Sequence, residues 1–309
     1  MSDTTSSARP IVLKFGGTSV GTPGTLRIVP SIVRSLHPSA PIVIVASAAA
    51  GLTDHLSRAA DSGILWEARR YLTRRYDYLA GAVLSTLGQR RYHDDVQSIY
   101  AAWESTFSSI EPAPLDPIHR DHVLSFGERL SVPLVAQLLR EHGFDAEPVE
   151  ATQLLKTTAE AGRATVLPEP TRSAVQAWYC TVPSGTIPVV TGFIGESPQG
   201  QITTVGRGGS DYSAACLAAA LDAQAVHRWT DTQGIFTADP NRDPSAKRIV
   251  RISLDQANVL TSAGKFGMHP SAVEPLLPNR IPLHIRSTFE PEAPGTLLDP
   301  AHGVMEIAP

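Results

Sequence analysis

Short apolar runs rich in β-branched residues alternate along the chain with longer segments of helical periodicity. Such runs are typical of strands in a parallel sheet that is covered on both faces. They lie at Ile11–Phe15, Pro41–Ala46, Ile187–Val190, Ala225–Trp229 and, as the final predicted strand, Leu283–Arg286. Helices are predicted at Leu26–Leu36, Leu124–His142 and Ser210–Leu221, a helical insertion at Leu52–Ile110, and a hairpin strand at Gln201–Val205. This alternation predicts an α/β fold with a mostly parallel central sheet.

Composition narrows the class of protein. The 309 residues are 42% hydrophobic and 18% charged, which excludes a disordered, collagen-like or coiled-coil chain. The net charge is −4 and no long basic run is present, so a nucleic-acid partner is not expected. No signal segment or apolar run of about 20 residues occurs, so we expect no membrane partner and a cytoplasmic location. Cys180 and Cys216 are interpreted as reduced, structural thiols.

The first candidate site is a glycine turn directly after the first predicted strand, Lys14-Phe15-Gly16-Gly17-Thr18-Ser19. Glycines let backbone N–H groups approach an anion closely, and Lys14 adds a cation, so phosphate is the natural ligand. The alternative is a tight strand-to-helix turn with a surface lysine. Gly17 to Gly21 also has the spacing of a nucleophile elbow, which keeps open a serine hydrolase that uses Ser19 with a late histidine, His269 or His284.

A second glycine loop, Gly206 to Asp211, precedes an Ala-rich segment that is predicted to be helical. Arg207 supplies a fork suited to a carboxylate or phosphate. Asp211 is either the N-cap of that helix or a group that orients Lys14, and Ser210 is the other candidate for the N-cap. Two anion-binding loops in one α/β chain indicate two anionic substrates brought together.

Other motifs carry less weight. Trp229 to Pro240 is a polar cluster just past a strand end, where ligands bind in open α/β sheets, although a plain Asp-Pro turn is the alternative. Neither glycine loop fits the P-loop pattern G-x-x-x-x-G-K-[ST]. Gly264-Lys265 does not fit it either, because Val259 stands where the first glycine of the pattern is needed. His119-Arg120-Asp121 resembles a protein-kinase triplet by chance, since Phe126 replaces the required asparagine.

Together these segments resemble the catalytic domain of aspartokinases, members of the amino acid kinase family. Lys14 to Val20 matches K-F-G-G-T-S-V, Gly206 to Ala214 matches G-R-G-G-S-D-Y-S-A, and Trp229 to Pro240 matches W-T-D-x-x-G-I-[YF]-T-x-D-P. Ser125 to Glu128 and Phe289 to Thr296 resemble two further family elements. The resemblance implies a three-layer α/β/α sandwich. It also implies a single catalytic domain, with an amino-acid-binding lobe at about 11–195 and a nucleotide-binding lobe at about 196–309.

The resemblance implies transfer of the ATP γ-phosphoryl group to the side-chain carboxylate of aspartate, with Mg²⁺. Lys14 and Asp211 would be catalytic. The implied amino-acid site consists of Ser47, Thr53, Glu128, Arg207 and Ser210, with Arg207 on the α-carboxylate and Glu128 on the ammonium. The implied nucleotide site consists of Lys14, Gly16, Gly17, Thr18, Thr230, Asp231, Phe236, Arg242 and Lys265. No side chain is implied as a metal ligand. A homodimer is the expected assembly.

This chain departs from the family pattern in several places. Lys265 stands one position early, Asn241 replaces a frequent arginine, and Ser47 to Gly51 reads S-A-A-A-G rather than S-A-S-A-G. A same-fold kinase for another amino acid or carboxylate is therefore the second hypothesis. The chain ends about where the ACT regulatory domains of typical aspartokinases begin, so we expect no feedback inhibition by lysine or threonine. Regulation is then either lacking, as in a dedicated pathway, or supplied by a separate subunit.

Overall fold

A computed structural model describes residues 8–108, 110, 114–238, 242–263, 268–301 and 303–308 of the chain. Within these residues, every helix is too short or too polar to cross a bilayer.

A nine-stranded sheet forms the centre of the described structure, with strand order β11-β8-β10-β9-β7-β1-β2-β4-β3. Its strands are β1 (Ile11–Phe15), β2 (Ile42–Ala46), β3 (Ala146–Val149), β4 (Ile187–Thr191), β7 (Ala225–Thr230), β8 (Ile249–Ser253), β9 (Leu283–Ser287), β10 (Thr296–Asp299) and β11 (Glu306–Ile307). All neighbouring pairs are parallel except β9 with β10 and β8 with β11. A separate antiparallel hairpin joins β5 (Ile194–Glu196) to β6 (Ile202–Thr204), as predicted.

Helices cover both faces of the sheet. They are α1 (Gly17–Val20), α2 (Pro23–Leu26), α3 (Val29–Leu36), α4 (Leu52–Ser62), α5 (Leu65–Val83), α6 (Thr86–Phe107), α7 (Pro117–Glu141), α8 (Pro168–Tyr179), α9 (Gly209–Ala220) and α10 (Leu254–Ser262). Leu13 and Phe15 face a core shared with α2 to α7, whereas Val12 faces a second core shared with α8, α9 and α10. Alternate residues of a strand point to opposite faces, so one buried strand supplies both cores. The predicted three-layer α/β/α sandwich is confirmed.

The structure corrects several predicted boundaries. The helix predicted at Leu26–Leu36 is divided, because Pro30 lacks a backbone N–H and stands at the start of α3. Helix α7 begins well before Leu124, since Asp116 caps it by accepting hydrogen bonds from the N–H groups of Ile118 and His119. Strand β9 is not the last strand, because β10 and β11 follow it.

Two further expectations are also corrected. The N-cap of α9 is Gly208, which has a left-handed backbone and makes no side-chain cap, so neither Ser210 nor Asp211 is the cap. Both cysteines are free, as predicted. Cys216 is buried in the core, whereas Cys180 is exposed, so a structural role for the Cys180 thiol is wrong.

Candidate active site

A cavity of about 350 Å³ opens where the carboxyl ends of β1 and β2 meet the loop before α9. Ligands bind at this edge of open parallel sheets, because the loops that follow neighbouring strands converge there. The lining consists of Lys14, Gly17, Ser47–Gly51, Thr53, Asp54, Glu128, Phe193 and Gly206–Asp211. Both glycine loops singled out in the sequence therefore contribute to one cavity.

The lysine of the first loop lies on the floor of this cavity. Lys14 is 6% exposed, and its Nζ lies 2.6 Å from Oδ1 of Asp211. Burial lowers the pKa of Lys14, and the nearby Arg228 lowers it further, while Asp211 opposes both effects. Asp211 is thus in direct contact with Lys14 and is not the N-cap of α9.

Asp211 itself is held from two sides. Its second oxygen, Oδ2, accepts a hydrogen bond from Nε of Arg228 at 2.9 Å. Burial by itself raises the pKa of Asp211, but Arg228 and Lys14 outweigh burial and lower the pKa to about 2. Asp211 is therefore a fixed anion at neutral pH.

Glu128 is the second buried carboxyl group of the cavity. It lies on α7, is 2% exposed, and its Oε2 atom has no hydrogen-bond partner among the described residues. Burial raises the pKa of Glu128 to about 8, although the backbone N–H of Ala48 and the charge of Lys14 oppose this increase. A buried carboxyl oxygen that lines a cavity suits a cationic or hydrogen-bond-donating ligand.

Close backbone approach explains two of the glycines. A Cβ at Gly17 would lie 2.9 Å from the carbonyl oxygen of Ala48, so the first loop packs directly against the loop after β2. Gly208 has a φ of +69°, which favours glycine, and a Cβ there would lie 2.9 Å from Cβ of His269. Both loops therefore need glycine for the shape of the cavity wall.

Residues behind the cavity hold its walls in place. Tyr76 of α5 donates a hydrogen bond to the carbonyl oxygen of Gly127 at 2.6 Å and accepts one from the N–H of Ala49 at 3.3 Å. Asp121 is fully buried and accepts hydrogen bonds from the N–H groups of Gly162 and Thr204 and from the Thr204 hydroxyl. Because Asp121 does not line the cavity, the structure agrees that the His119-Arg120-Asp121 triplet is a chance match.

The serine hydrolase alternative does not survive. Ser19 is fully buried, and its Oγ bonds to the carbonyl oxygen of Trp229 at 3.1 Å and to Oγ1 of Thr288 at 2.7 Å. The predicted bases lie elsewhere, with His284 stacked on His227 and His269 bonded to Ser271. A buried hydroxyl with structural partners cannot act as an exposed nucleophile.

Comparison with known proteins identifies the family of this chain. A sequence model described as "Amino acid kinase family" matches residues 9–287. The chain belongs to the amino acid kinase family. The lysine-sensitive aspartokinase 3 of Escherichia coli is 33% identical over 293 residues, which are 93% of this chain and 64% of that protein. An aspartokinase of Schizosaccharomyces pombe is 29% identical over 94% of this chain and 58% of that protein.

A solved structure supports the same assignment. The E. coli aspartokinase III structure in complex with aspartate and ADP has a TM-score of 0.83 and 29% identity, and the match covers 95% of this chain and 65% of that one. The chain thus spans less than two thirds of the length of these amino acid kinase relatives. The aspartokinase resemblance found in the sequence is confirmed.

The cavity brings together all of the amino-acid-site and catalytic residues predicted from the sequence, and also Gly17 of the predicted nucleotide site. Lys14, Gly17, Ser47, Thr53, Glu128, Arg207, Ser210 and Asp211 all line it. Gly16 and Thr18 flank the lining residue Gly17, and the N–H of Gly16 donates to the carbonyl oxygen of Trp229 at 3.1 Å. This bond places the start of the Trp229 cluster beside the first glycine loop.

The remaining predicted nucleotide residues do not line the cavity. Thr230 ends β7, and its hydroxyl donates a hydrogen bond to Oδ1 of Asp231 at 3.1 Å. Phe236 forms an isolated antiparallel β-bridge with Arg248. Arg242 also lies outside the lining, and Lys265 lies outside the described residues. Sequence reasoning missed Phe193, Tyr76 and Arg228. Arg228 carried a signal, because it is a charged residue within a strand whose other residues are buried.

Proposed function

We propose that this chain transfers the γ-phosphoryl group of ATP to the side-chain carboxylate of L-aspartate, giving 4-phospho-L-aspartate and ADP. The observation that carries the proposal is one cavity that offers Arg207, Glu128 and the Lys14–Asp211 pair together. A guanidinium suits the α-carboxylate of an amino acid, and a buried carboxyl group suits its ammonium. Lys14 then faces the group that is transferred.

The chemistry needs charge stabilisation more than proton transfer. An oxygen of the aspartate side chain attacks the γ-phosphorus while the bond from that phosphorus to the bridging oxygen of ADP breaks, and no proton has to move. The two reactants are both anionic, and unit charges about 4 Å apart repel by roughly 4 kcal/mol at an effective dielectric of 20. Lys14, held by Asp211, and Arg207 offset this repulsion, so positioning and charge account for catalysis.

Mg²⁺ is proposed to enter as part of its complex with ATP. Among the described residues, no group of three or more His, Cys, Asp or Glu side chains is placed to hold a metal ion. Both oxygens of Asp211 already contact cationic side chains. When bound to the phosphates, the metal would neutralise part of their charge, while Lys14 and Arg207 act from the protein side.

The nucleotide is proposed to lie beside the end of β7. Thr230 ends that strand, Asp231 and Phe236 follow it, and the Gly16–Trp229 bond joins the strand to the first glycine loop. The known aspartokinase complex with aspartate and ADP supports this choice of substrates. Roles for Arg242 and Lys265, the division into two lobes, the homodimer and a separate regulatory subunit stay predictions.

Trapping of the acyl phosphate tests the proposal. The protein is incubated with ATP, Mg²⁺ and hydroxylamine, and hydroxamate is measured with aspartate, glutamate and N-acetylglutamate as separate substrates. We expect hydroxamate from aspartate. The Lys14→Met variant should lose about a factor of 10² to 10³ in kcat, as when one preorganised donor to a transition state is removed. Circular dichroism confirms that the variant is folded.

The other outcomes separate the two hypotheses. Hydroxamate from a different acid would keep the kinase chemistry and replace aspartate as substrate, in line with the altered S-A-A-A-G loop at Ser47 to Gly51. No hydroxamate from any of the acids, with a folded protein, would contradict the proposed activity.

A further inference from the structure

We propose that Arg228 is a positioning residue for phosphoryl transfer, which holds Asp211 in place and acts on Lys14 through it. The proposal rests on the proposed function, in which Lys14 faces the transferred group. Arg228 was not among the site residues indicated by the sequence motifs, and it does not line the cavity.

Strand register places the three charged groups together. In the parallel pair of β1 and β7, Lys14 lies opposite Arg228, so both side chains point to the same face of the sheet. Helix α9 packs on that face and carries Asp211 in its first turn. The carboxylate thus lies between two cations from adjacent strands, with Oδ1 at 2.6 Å from Lys14 and Oδ2 at 2.9 Å from Arg228.

Using both oxygens fixes the orientation of the carboxylate. A carboxylate held by Lys14 alone could rotate or exchange oxygens, whereas the contact with Arg228 removes that freedom. The side chains of Lys14, Asp211 and Arg228 are 8%, 11% and 18% exposed, so water competes little for these contacts. Lys14 is therefore directed to one position on the cavity floor, and phosphoryl transfer depends on positioning of this kind.

Arg228 also changes the charge of the site. Lys14 and Asp211 alone form a neutral pair, whereas the three groups together carry one net positive charge. That charge lies next to the cavity in which two anions must meet. The groups that face Lys14 come from three elements: Asp211 on α9 and Glu128 on α7 raise its pKa, and Arg228 on β7 lowers it. Arg207 is a further cation of the cavity lining.

The test compares neutral and charged replacements at one position. Arg228→Met removes the charge with little change in length, Arg228→Gln is a second neutral variant that keeps a hydrogen-bond donor, and Arg228→Lys keeps the charge. Arg251→Met is the matched control, because it removes an arginine that pairs with Asp299 at 3.8 Å, away from the cavity. Each variant is assayed for kcat, for KM and for the pH dependence of kcat.

A second measurement does not depend on activity. The chain contains four lysines, Lys14, Lys156, Lys247 and Lys265, so a protein labelled with ¹³C at the lysine Cε position gives few NMR signals. Comparison with Lys14→Met assigns the Lys14 signal, and its pH titration reports the pKa of Lys14 in every variant.

We expect Arg228→Met and Arg228→Gln to lower kcat about tenfold to a hundredfold, with a smaller change in KM. The pKa of Lys14 should rise in both, because a repelling cation is gone. The alkaline limb of the kcat profile should therefore move to higher pH, since Lys14 acts as a cation and activity falls as it loses its proton. Arg228→Lys should keep the Lys14 pKa near that of the parent protein and recover part of kcat.

The inference and the proposed function fail in different ways. If the parent protein makes no hydroxamate, the proposed function is wrong, and the NMR titration still decides whether Arg228 acts on Lys14. If the parent is active but the neutral variants keep both its kcat and its Lys14 pKa, the inference is overturned. A lower kcat with an unchanged Lys14 pKa would also contradict it, because that result indicates a structural effect alone.

Discussion

We predict that the buried carboxyl group of Glu128 makes binding of an amino acid dependent on pH. Its pKa of about 8 means that the free protein holds Glu128 mostly protonated at neutral pH. Only the ionised form attracts an ammonium group, so binding of aspartate must release a proton. Aspartate binding is therefore measured at several pH values across the range in which Glu128 titrates.

The size of the effect follows from the pKa. At pH 7 about one tenth of the free protein has ionised Glu128, so proton competition weakens binding about tenfold, or roughly 1.4 kcal/mol. At pH 6.5 the factor is about 30, and at pH 8.5 it is close to 1, so the dissociation constant should fall roughly twentyfold between these values. Binding at pH 7 should release about one proton per site.

Isothermal titration calorimetry in buffers of different ionisation enthalpy measures both quantities. Glu128→Gln cannot ionise, so it should bind aspartate weakly across the range and release no proton. Glu196→Gln is the matched control, because Glu196 pairs with Lys156 at 2.7 Å outside the cavity and should leave both quantities unchanged. A dissociation constant that does not vary between pH 6.5 and 8.5 in the parent protein, with no proton released, would refute the reasoning.

Three further predictions concern the supporting structure. Ser19→Ala should lower the free energy of unfolding by about 1 to 3 kcal/mol in urea, because it leaves buried partners unpaired, and should spare most of kcat; a selective loss of kcat with unchanged stability would show that the Ser19 hydroxyl also takes part in the reaction. Asp121→Asn should destabilise the fold by a similar amount, about 1 to 3 kcal/mol, since one oxygen can no longer accept, and an unchanged melting temperature would contradict it. Gly17→Ala should lower kcat/KM for ATP by about tenfold or more, because its Cβ would meet the backbone of Ala48 at 2.9 Å; wild-type kinetics would show that the loop can move aside.

Local sequence patterns were enough for most of the central sheet. Strands β1, β2, β4 and β7 lie where the short apolar runs predicted them, because strands buried on both faces are mostly apolar. Strands β3, β8, β10 and β11 were not predicted. Three of these four contain partly exposed positions, and β11 is short and exposed, so their apolar signal is weaker.

The glycine loops and their charged neighbours were also visible in the sequence. Lys14, Arg207 and Asp211 stand next to glycines at the ends of predicted elements, a pattern with a direct chemical reason. Glu128 was identified through the family resemblance, since nothing in its local pattern distinguishes it from other acidic residues on a helix.

What the sequence by itself determined is the position of most of the buried strands, the class of fold and the presence of two glycine loops, since these depend on short-range periodicity and on glycine. The tertiary structure decided which groups Asp211, Ser19 and Arg228 contact. Asp211 is 17 residues from Arg228, and Ser19 bonds to Thr288 across 269 residues. Strand register and helix packing create such contacts, and burial there sets whether a carboxyl group is ionised, a hydroxyl is accessible or an arginine is paired.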